Sequence, residues 1–238
     1  MMTGSGRFPT TSWSIVLGAA RGDDWRPAFE RLCTIYWPPV YGFVRWQVGD
    51  AEWAKDLTQA FFTRLLEHQD LCPAEPGKAR FRSFLMASIK HFLANEWDRL
   101  GTQRRGGGRA HLQLDFSDPR CAGQESLTDG LTPEKIFEKH WATLMLDRAL
   151  AATRKRYEES GQRRQFDLLE KFLLGGRDEG RYRAAAENLE MSEAAVKMAV
   201  HRLRRRFGDA LRREISLTVN GPPEVDDELR YLLSVIAA

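Results

Sequence analysis

Apolar residues recur at intervals of three and four along most of the chain, the period of helices with one buried face, and no segment alternates convincingly as a strand would. Residues 1–24 are rich in Gly, Ser, Thr and Arg, with an apolar patch at Trp13 to Leu17, and read as a loosely ordered lead-in. From Trp25 the helical pattern begins with Phe29, Leu32, Cys33, Tyr36 and Trp37. Pro38-Pro39 is expected to break and restart it before Val40, Tyr41, Phe43, Val44 and Val48. After a Gly49-Asp50 turn, Trp53, Leu57, Ala60, Phe61, Leu65 and Leu66 mark a further helix, which ends before the Pro- and Gly-bearing loop Asp70 to Lys78. Phe81, Phe84, Leu85, Ser88, Ile89, Phe92, Leu93 and Trp97 then predict a helix from Phe81 to about Leu100.

Gly106-Gly107-Gly108 among Arg104, Arg105 and Arg109 cannot extend that helix, and periodicity fails for the next twenty or so residues, which reads as a linker. Helix resumes at Thr132-Pro133, an N-cap with proline at the first helical position, and runs through Ile136, Phe137, Trp141, Leu144, Met145 and Leu150. Further helices are predicted over about Arg163 to Leu174, Arg181 to Leu189 and Ser192 to Ile215, before an acidic amphipathic segment after Pro222-Pro223. The expectation is an all-α chain of two small helical domains joined by a flexible linker. Its parts are a lead-in over 1–24, a bundle over 25–103, a linker over 104–132, a second domain over 133–215 and an extension over 216–238.

A chain of 238 residues can bury a core in each of two domains. No segment is apolar enough to span a membrane and no secretory leader is visible, so a cytoplasmic location is expected. Cys33, Cys72 and Cys121 lie far apart with no CxxC spacing, which argues for ordinary thiols and against a disulfide framework or a zinc site. The net charge of +3 hides strong local contrasts. Asp50 to Glu75 carries six acids against two bases, Lys78 to Arg109 eight bases against two acids, and Ser192 to Glu214 seven bases against three acids.

The last of these coincides with a helix-turn-helix pattern. Tyr182, Ala185, Ala186 and Leu189 form the apolar face of a short first helix, with alanines where a second helix must come close. Ser192 caps the second helix, whose Val196, Ala199, Val200, Leu203 and Phe207 form one stripe. Ala194, Lys197, Met198, His201 and Arg205 fall on the opposite side, where side chains suit a major groove. The basic stretch from Lys78 interleaves cations with Phe81, Phe84, His91, Phe92 and Trp97, a composition that can hold unstacked bases, although Phe81, Phe84 and Phe92 are better assigned to the core.

Tyr36 to Arg45 (YWPPVYGFVR), Asp56 to Phe62 (DLTQAFF), Phe81 to Lys90 (FRSFLMASIK) and the terminal VKMAVHRLRRRF, in that order and spacing, resemble a bacterial RNA polymerase sigma factor of the compact extracytoplasmic-function group. The resemblance covers about 25–100 and 135–215. It implies core RNA polymerase and promoter DNA as partners, no cofactor, no metal and no catalysis. By it, Asp56, Leu57, Gln59 and Phe62 dock on core polymerase. Arg82, Lys90, His91, Asn95 and Arg99 engage the minus-ten element, where a base is flipped out of the duplex. Ser192, Lys197, His201, Arg202 and Arg205 serve the minus-thirty-five element.

The chain departs from that pattern in several places. Trp53-Ala54-Lys55 and Ala60 stand where the family is usually acidic, His91 where asparagine is frequent, and Glu190 where the turn commonly has glycine. Phosphorylation at Thr58 and Thr63 by a Ser/Thr kinase would restore about −1.5 to −2 charges per site on the docking helix. The bland alternative is that Trp53 adds apolar contact and no switch exists. An anti-sigma protein is another possible class of controlling partner. The acidic tail either packs back on the basic C-terminal domain or is an inert extension, and packing is the expectation. A rival reading of the whole chain is a stand-alone helix-turn-helix regulator. A nucleic-acid enzyme using Asp56, Glu67, His68 and Asp70 lacks any metal spacing, phosphate loop or nucleophile motif.

Overall fold

The computed structural model describes residues 25–68, 80–105, 132–173, 179–219 and 221–237. Among the described residues every regular element is helical: α1 (Trp25–Val48), α2 (Ala51–His68), α3 (Phe81–Arg105), α4 (Pro133–Glu159), α5 (Arg163–Leu169) with a 3-10 turn at Glu170–Phe172, α6 (Glu179–Leu189), α7 (Glu193–Ser216) and α8 (Pro222–Ala237). The all-α expectation holds. The lead-in over 1–24 and most of the linker lie outside the described residues.

α1 departs from its expectation because it runs unbroken through Pro38 and Pro39. Two prolines remove two backbone donors and would ordinarily kink or break a helix at a cost of about 3 kcal/mol or more. Here Leu32, Ile35 and Tyr36 on one side of the pair and Val40, Phe43 and Val44 on the other are all buried. That continuous apolar stripe can only be buried together if the axis continues, and its burial outweighs the lost bonds. Gly49 then ends the helix with φ 73°, its N–H donating to the Arg45 carbonyl at 3.0 Å. Asp50 starts α2 by accepting the Trp53 N–H at 2.7 Å.

The chain divides into two units, one holding the described residues up to Thr143 together with those from Ser216 onward, the other Leu144–Ile215. The first boundary falls inside α4, and the residues from Ser216 onward group with the N-terminal helices. In the first unit, aromatic rings interlock across the helices. Trp37 stacks on Phe62 at 5.5 Å, Tyr36 meets Phe81 edge-on at 4.8 Å and Phe61 lies 5.5 Å from Phe92. Trp141 of α4 is wholly buried and donates its indole N–H to the Tyr36 hydroxyl at 3.2 Å. Thr132 caps α4 as expected, accepting the Lys135 N–H at 3.3 Å. Gly42 on α1 leaves room for the His140 ring, with which a Cβ added there would clash.

The second unit is organised around Tyr157, Phe166, Leu169, Phe172, Tyr182, Ala185, Ala186, Val196, Ala199, Val200 and Leu203, all buried together. α4 closes with Gly161 at φ 70°, the Gln162 N–H reaching back to the Tyr157 carbonyl at 2.8 Å and the Gly161 N–H to Glu158 at 2.9 Å. The same motif ends α6, with Met191 N–H on Ala186 at 3.0 Å and Glu190 N–H on Glu187 at 3.3 Å. There the left-handed residue is Glu190, at φ 54°. A residue with a Cβ is strained in that region by about 1–2 kcal/mol, partly offset because glycine loses more entropy on folding. Glu190→Gly is therefore expected to stabilise the second unit by about 0.5–1 kcal/mol, read as a raised midpoint in denaturant with unchanged slope.

Candidate nucleic-acid and partner interfaces

In the second unit α6 and α7 are joined by the short turn Glu190 to Ser192, the segment expected to be a helix-turn-helix. Ala185 and Ala186 lie buried with Val196, Ala199 and Val200, and the Ser192 hydroxyl accepts the Ala195 N–H at 3.2 Å. Ser192 is thus a structural cap. Ala194, Lys197, Met198, His201, Arg202 and Arg205 are all exposed on α7, Met198 at 57%. Lys197 stands 5.7 Å over the Tyr182 ring, while Arg202 and Arg205 have no acidic partner among the described residues. Two other cations of α7 have partners within the unit. Arg204 donates twice to the Phe172 carbonyl, at 3.1 and 2.7 Å, and Arg206 lies 4.9 Å over Tyr157. The outward cations are therefore set apart from the structural ones by their position on the helix.

On α2 the four residues expected to dock on polymerase separate by burial. Asp56 and Gln59 are exposed and, with Ala60, Thr63, Arg64 and Glu67 of α2 and Phe92 and Glu96 of α3, line an open groove of about 560 Å³. Leu57 and Phe62 are buried at 6% and 5% exposure, so they build the core that holds α2 in place and are corrected here from docking residues to core residues. Thr58 is also corrected. It is wholly buried and its hydroxyl donates to the Ala54 carbonyl at 2.7 Å, so no kinase can reach it in the folded chain. Thr63 is exposed at the groove. Trp53 is 41% exposed and stacks on Trp97 at 5.9 Å, which gives this side of the α2–α3 pair an aromatic surface.

Arg82, Lys90 and Arg99 of α3 each have an acidic partner. Arg82 was expected to meet DNA, but its guanidinium is half-buried, donates to Glu228 at 3.0 Å and lies 3.6 Å from Glu138. It also sits 5.0 Å from the centre of the Trp141 ring and 4.2 Å from that of Tyr231. This is a correction for the folded chain as it stands: Arg82 is an internal side chain. Burial opposes its charge, yet the Glu228 carboxylate more than offsets that, leaving its pKa above the ordinary value. Burial, followed by the hydrogen bond to Glu138, pushes the Tyr231 phenol up to about 12.

Lys90 pairs with Glu134 at 2.7 Å. Burial alone would raise the Glu134 carboxyl, but Lys90 and the backbone bonds hold it below its ordinary value. His91 and Asn95 are bonded to each other at 3.3 Å, and Arg99 pairs with Glu96 of its own helix at 2.8 Å. Lys90, His91 and Arg99 remain exposed on α3.

Absent from the sequence expectations were Arg80 and Glu228. Glu228 is 1% exposed and accepts from Arg80 at 2.6 Å through one carboxylate oxygen and from Arg82 through the other. The signal available was charge complementarity, since α8 carries four acids against Arg230 and faces the most basic stretch of the first half. The tail packs on α3 within the first unit.

Burial pushes the Cys33 thiol up to about 12, so it is not a ready thiolate; Cys72 and Cys121 lie outside the described residues. Among the described residues no cluster of three His, Cys, Asp or Glu side chains is arranged to hold a metal ion, and no helix is long and apolar enough to cross a membrane. No protein-family model, curated protein or solved structure matches the chain.

Proposed function

We propose that the chain is a sigma factor of the extracytoplasmic-function kind, which binds core RNA polymerase and directs it to promoter DNA without catalysing a reaction itself. The observation that carries the reading is the outer face of α7, where Lys197, His201, Arg202 and Arg205 project from a capped helix seated on the alanines of α6. The minus-thirty-five element lies against that face, Lys197 and His201 toward the bases and the arginines toward phosphates. The α2 groove, with Asp56 and Gln59 on its rim, takes core polymerase. Lys90, His91, Asn95 and Arg99 meet the melting minus-ten element. Thr63 is the one accessible acceptor of the two threonines for a Ser/Thr kinase. The factor works in the cytoplasm.

The test is reconstitution: purified chain is added to core polymerase and transcript starts are mapped. Promoter-specific initiation is the expected result. Tight binding to a palindromic duplex without polymerase, and no specific starts with it, would favour the stand-alone regulator instead. Within the sigma reading, Arg205→Ala is expected to weaken holoenzyme binding to every promoter alike and to reduce the log–log salt slope by about 0.9, as loss of one phosphate contact does. A change of base preference at unchanged slope would assign Arg205 to base reading.

A further inference from the structure

Three cations in the first half of the α3 region, Arg80, Arg82 and Lys90, have acidic partners from segments far along the chain. Glu228 of α8 takes both arginines, Asp227 lies 3.8 Å from Arg80, Glu138 lies 3.6 Å from Arg82, and Glu134 takes Lys90. By contrast Arg99, farther along the helix, pairs with its neighbour Glu96. We propose that α8 is an intramolecular clasp, which holds the Arg80–Arg82 end of α3 closed to nucleic acid and is displaced when a phosphate backbone takes those arginines. The proposal rests on the reading of α3 as a nucleic-acid surface and names the regulation of that surface.

The chemistry of the exchange is direct. A carboxylate and a phosphodiester each present two oxygens to a guanidinium, so a nucleic-acid strand competes for the donors that Glu228 now occupies. Occupied and desolvated, the arginines contribute little to the field that draws in a polyanion. α8 is also built to leave. Among the described residues its buried side chains are Val225, Glu228 and Leu232, about one per turn, with Leu229, Tyr231 and Val235 half-buried, whereas Leu233 and Ile236 are 56% and 47% exposed. A single helix packed along one face opens at lower free energy than the whole first unit unfolds. Its central anchor is a buried ion pair, which adds little stability over an apolar contact of the same size but makes attachment depend on what competes for the charge. Within the clasp the Arg82 guanidinium lies over both Trp141 and Tyr231, so releasing it also frees the aromatic side of α8 from α4.

The experiment uses the full chain and its Glu228→Gln variant with a fluorescein-labelled single-stranded oligonucleotide of mixed sequence, titrated at several salt concentrations. The variant is expected to bind at least about fivefold more tightly, because Arg80 and Arg82 no longer have to leave the Glu228 carboxylate before they take phosphates. Adding Arg82→Ala to Glu228→Gln is expected to take back about half of that gain. A folded Glu228→Gln chain with wild-type affinity overturns the proposal, as does absence of oligonucleotide binding by both proteins.

Should Glu228→Gln not fold, hydrogen exchange on the wild-type chain decides. At saturating oligonucleotide the amides of 222–237 are expected to lose protection, and unchanged or increased protection there overturns the clasp. Failure of the sigma reading shows elsewhere, as lack of promoter-specific starts with core polymerase, and leaves the oligonucleotide result standing.

Discussion

Alanine at Trp141 is expected to destabilise the first unit by about 4 kcal/mol, near the upper end for a single truncation in a packed core. The side chain is wholly buried and its indole N–H donates to the Tyr36 hydroxyl, itself wholly buried, at 3.2 Å. Removing the ring opens a cavity and deprives that hydroxyl of a donor at a site that water does not readily reach. The loss spreads further, since Arg82 lies over one face of the Trp141 ring and Tyr231 is 6.2 Å from it. Trp141→Phe separates the two contributions. It keeps most of the apolar volume and loses the donor, and should cost about 1–2 kcal/mol. Urea denaturation followed by near-ultraviolet dichroism measures both. A Trp141→Ala chain within about 1 kcal/mol of wild type would mean that α4 does not anchor the first unit as its geometry indicates.

The elements that were legible in the sequence are those whose local signals agree with their packing. Thr132-Pro133 announces the start of α4 and Ser192 that of α7, because each supplies a hydrogen bond that a helix end needs wherever it lies in the fold. The apolar stripe of α7 likewise left Lys197, His201, Arg202 and Arg205 outward by geometry alone. Long-range effects were not legible. Pro38-Pro39 carries a local signal for a break, and only the buried stripe on either side overrides it. Leu57, Thr58 and Phe62 sit in a stretch that resembles a docking helix, yet a resemblance in residue order does not say which side of a helix faces the core. Arg82 reads as a DNA contact until Glu228, 146 residues away, is brought onto it. Such a pairing has no period and no spacing, so charge complementarity between distant segments is its only trace in one sequence.

Aspartate at the two threonines of α2 should part sharply. Thr58→Asp is expected to cost about 3–5 kcal/mol at neutral pH, because it places a carboxylate at a wholly buried site whose present hydroxyl is satisfied by the Ala54 carbonyl. Desolvation raises the folded-state pKa of that carboxyl above its unfolded value of about 3.9. Between those two values the folded chain binds more protons than the unfolded one, so stability falls as pH rises and the defect is mildest in acid. Urea denaturation at pH 7 and near pH 4 reads this, and a variant equally stable at both, or as stable as wild type, would show that position 58 reaches water.

Thr63→Asp sits exposed on the groove and should change stability by no more than about 0.5 kcal/mol. Its effect belongs to binding. Asp56, Glu67 and Glu96 already line the groove against Arg64, and an added charge shifts that balance further negative. If a basic surface of core polymerase docks there, Thr63→Asp strengthens association at low salt and the gain shrinks as salt screens it, while Thr63→Ala matches the unmodified chain. Equal affinity of all three forms across salt concentrations would remove Thr63 as a switch and leave the Trp53–Trp97 stack, an apolar contact indifferent to salt, as what compensates the missing acids of this helix.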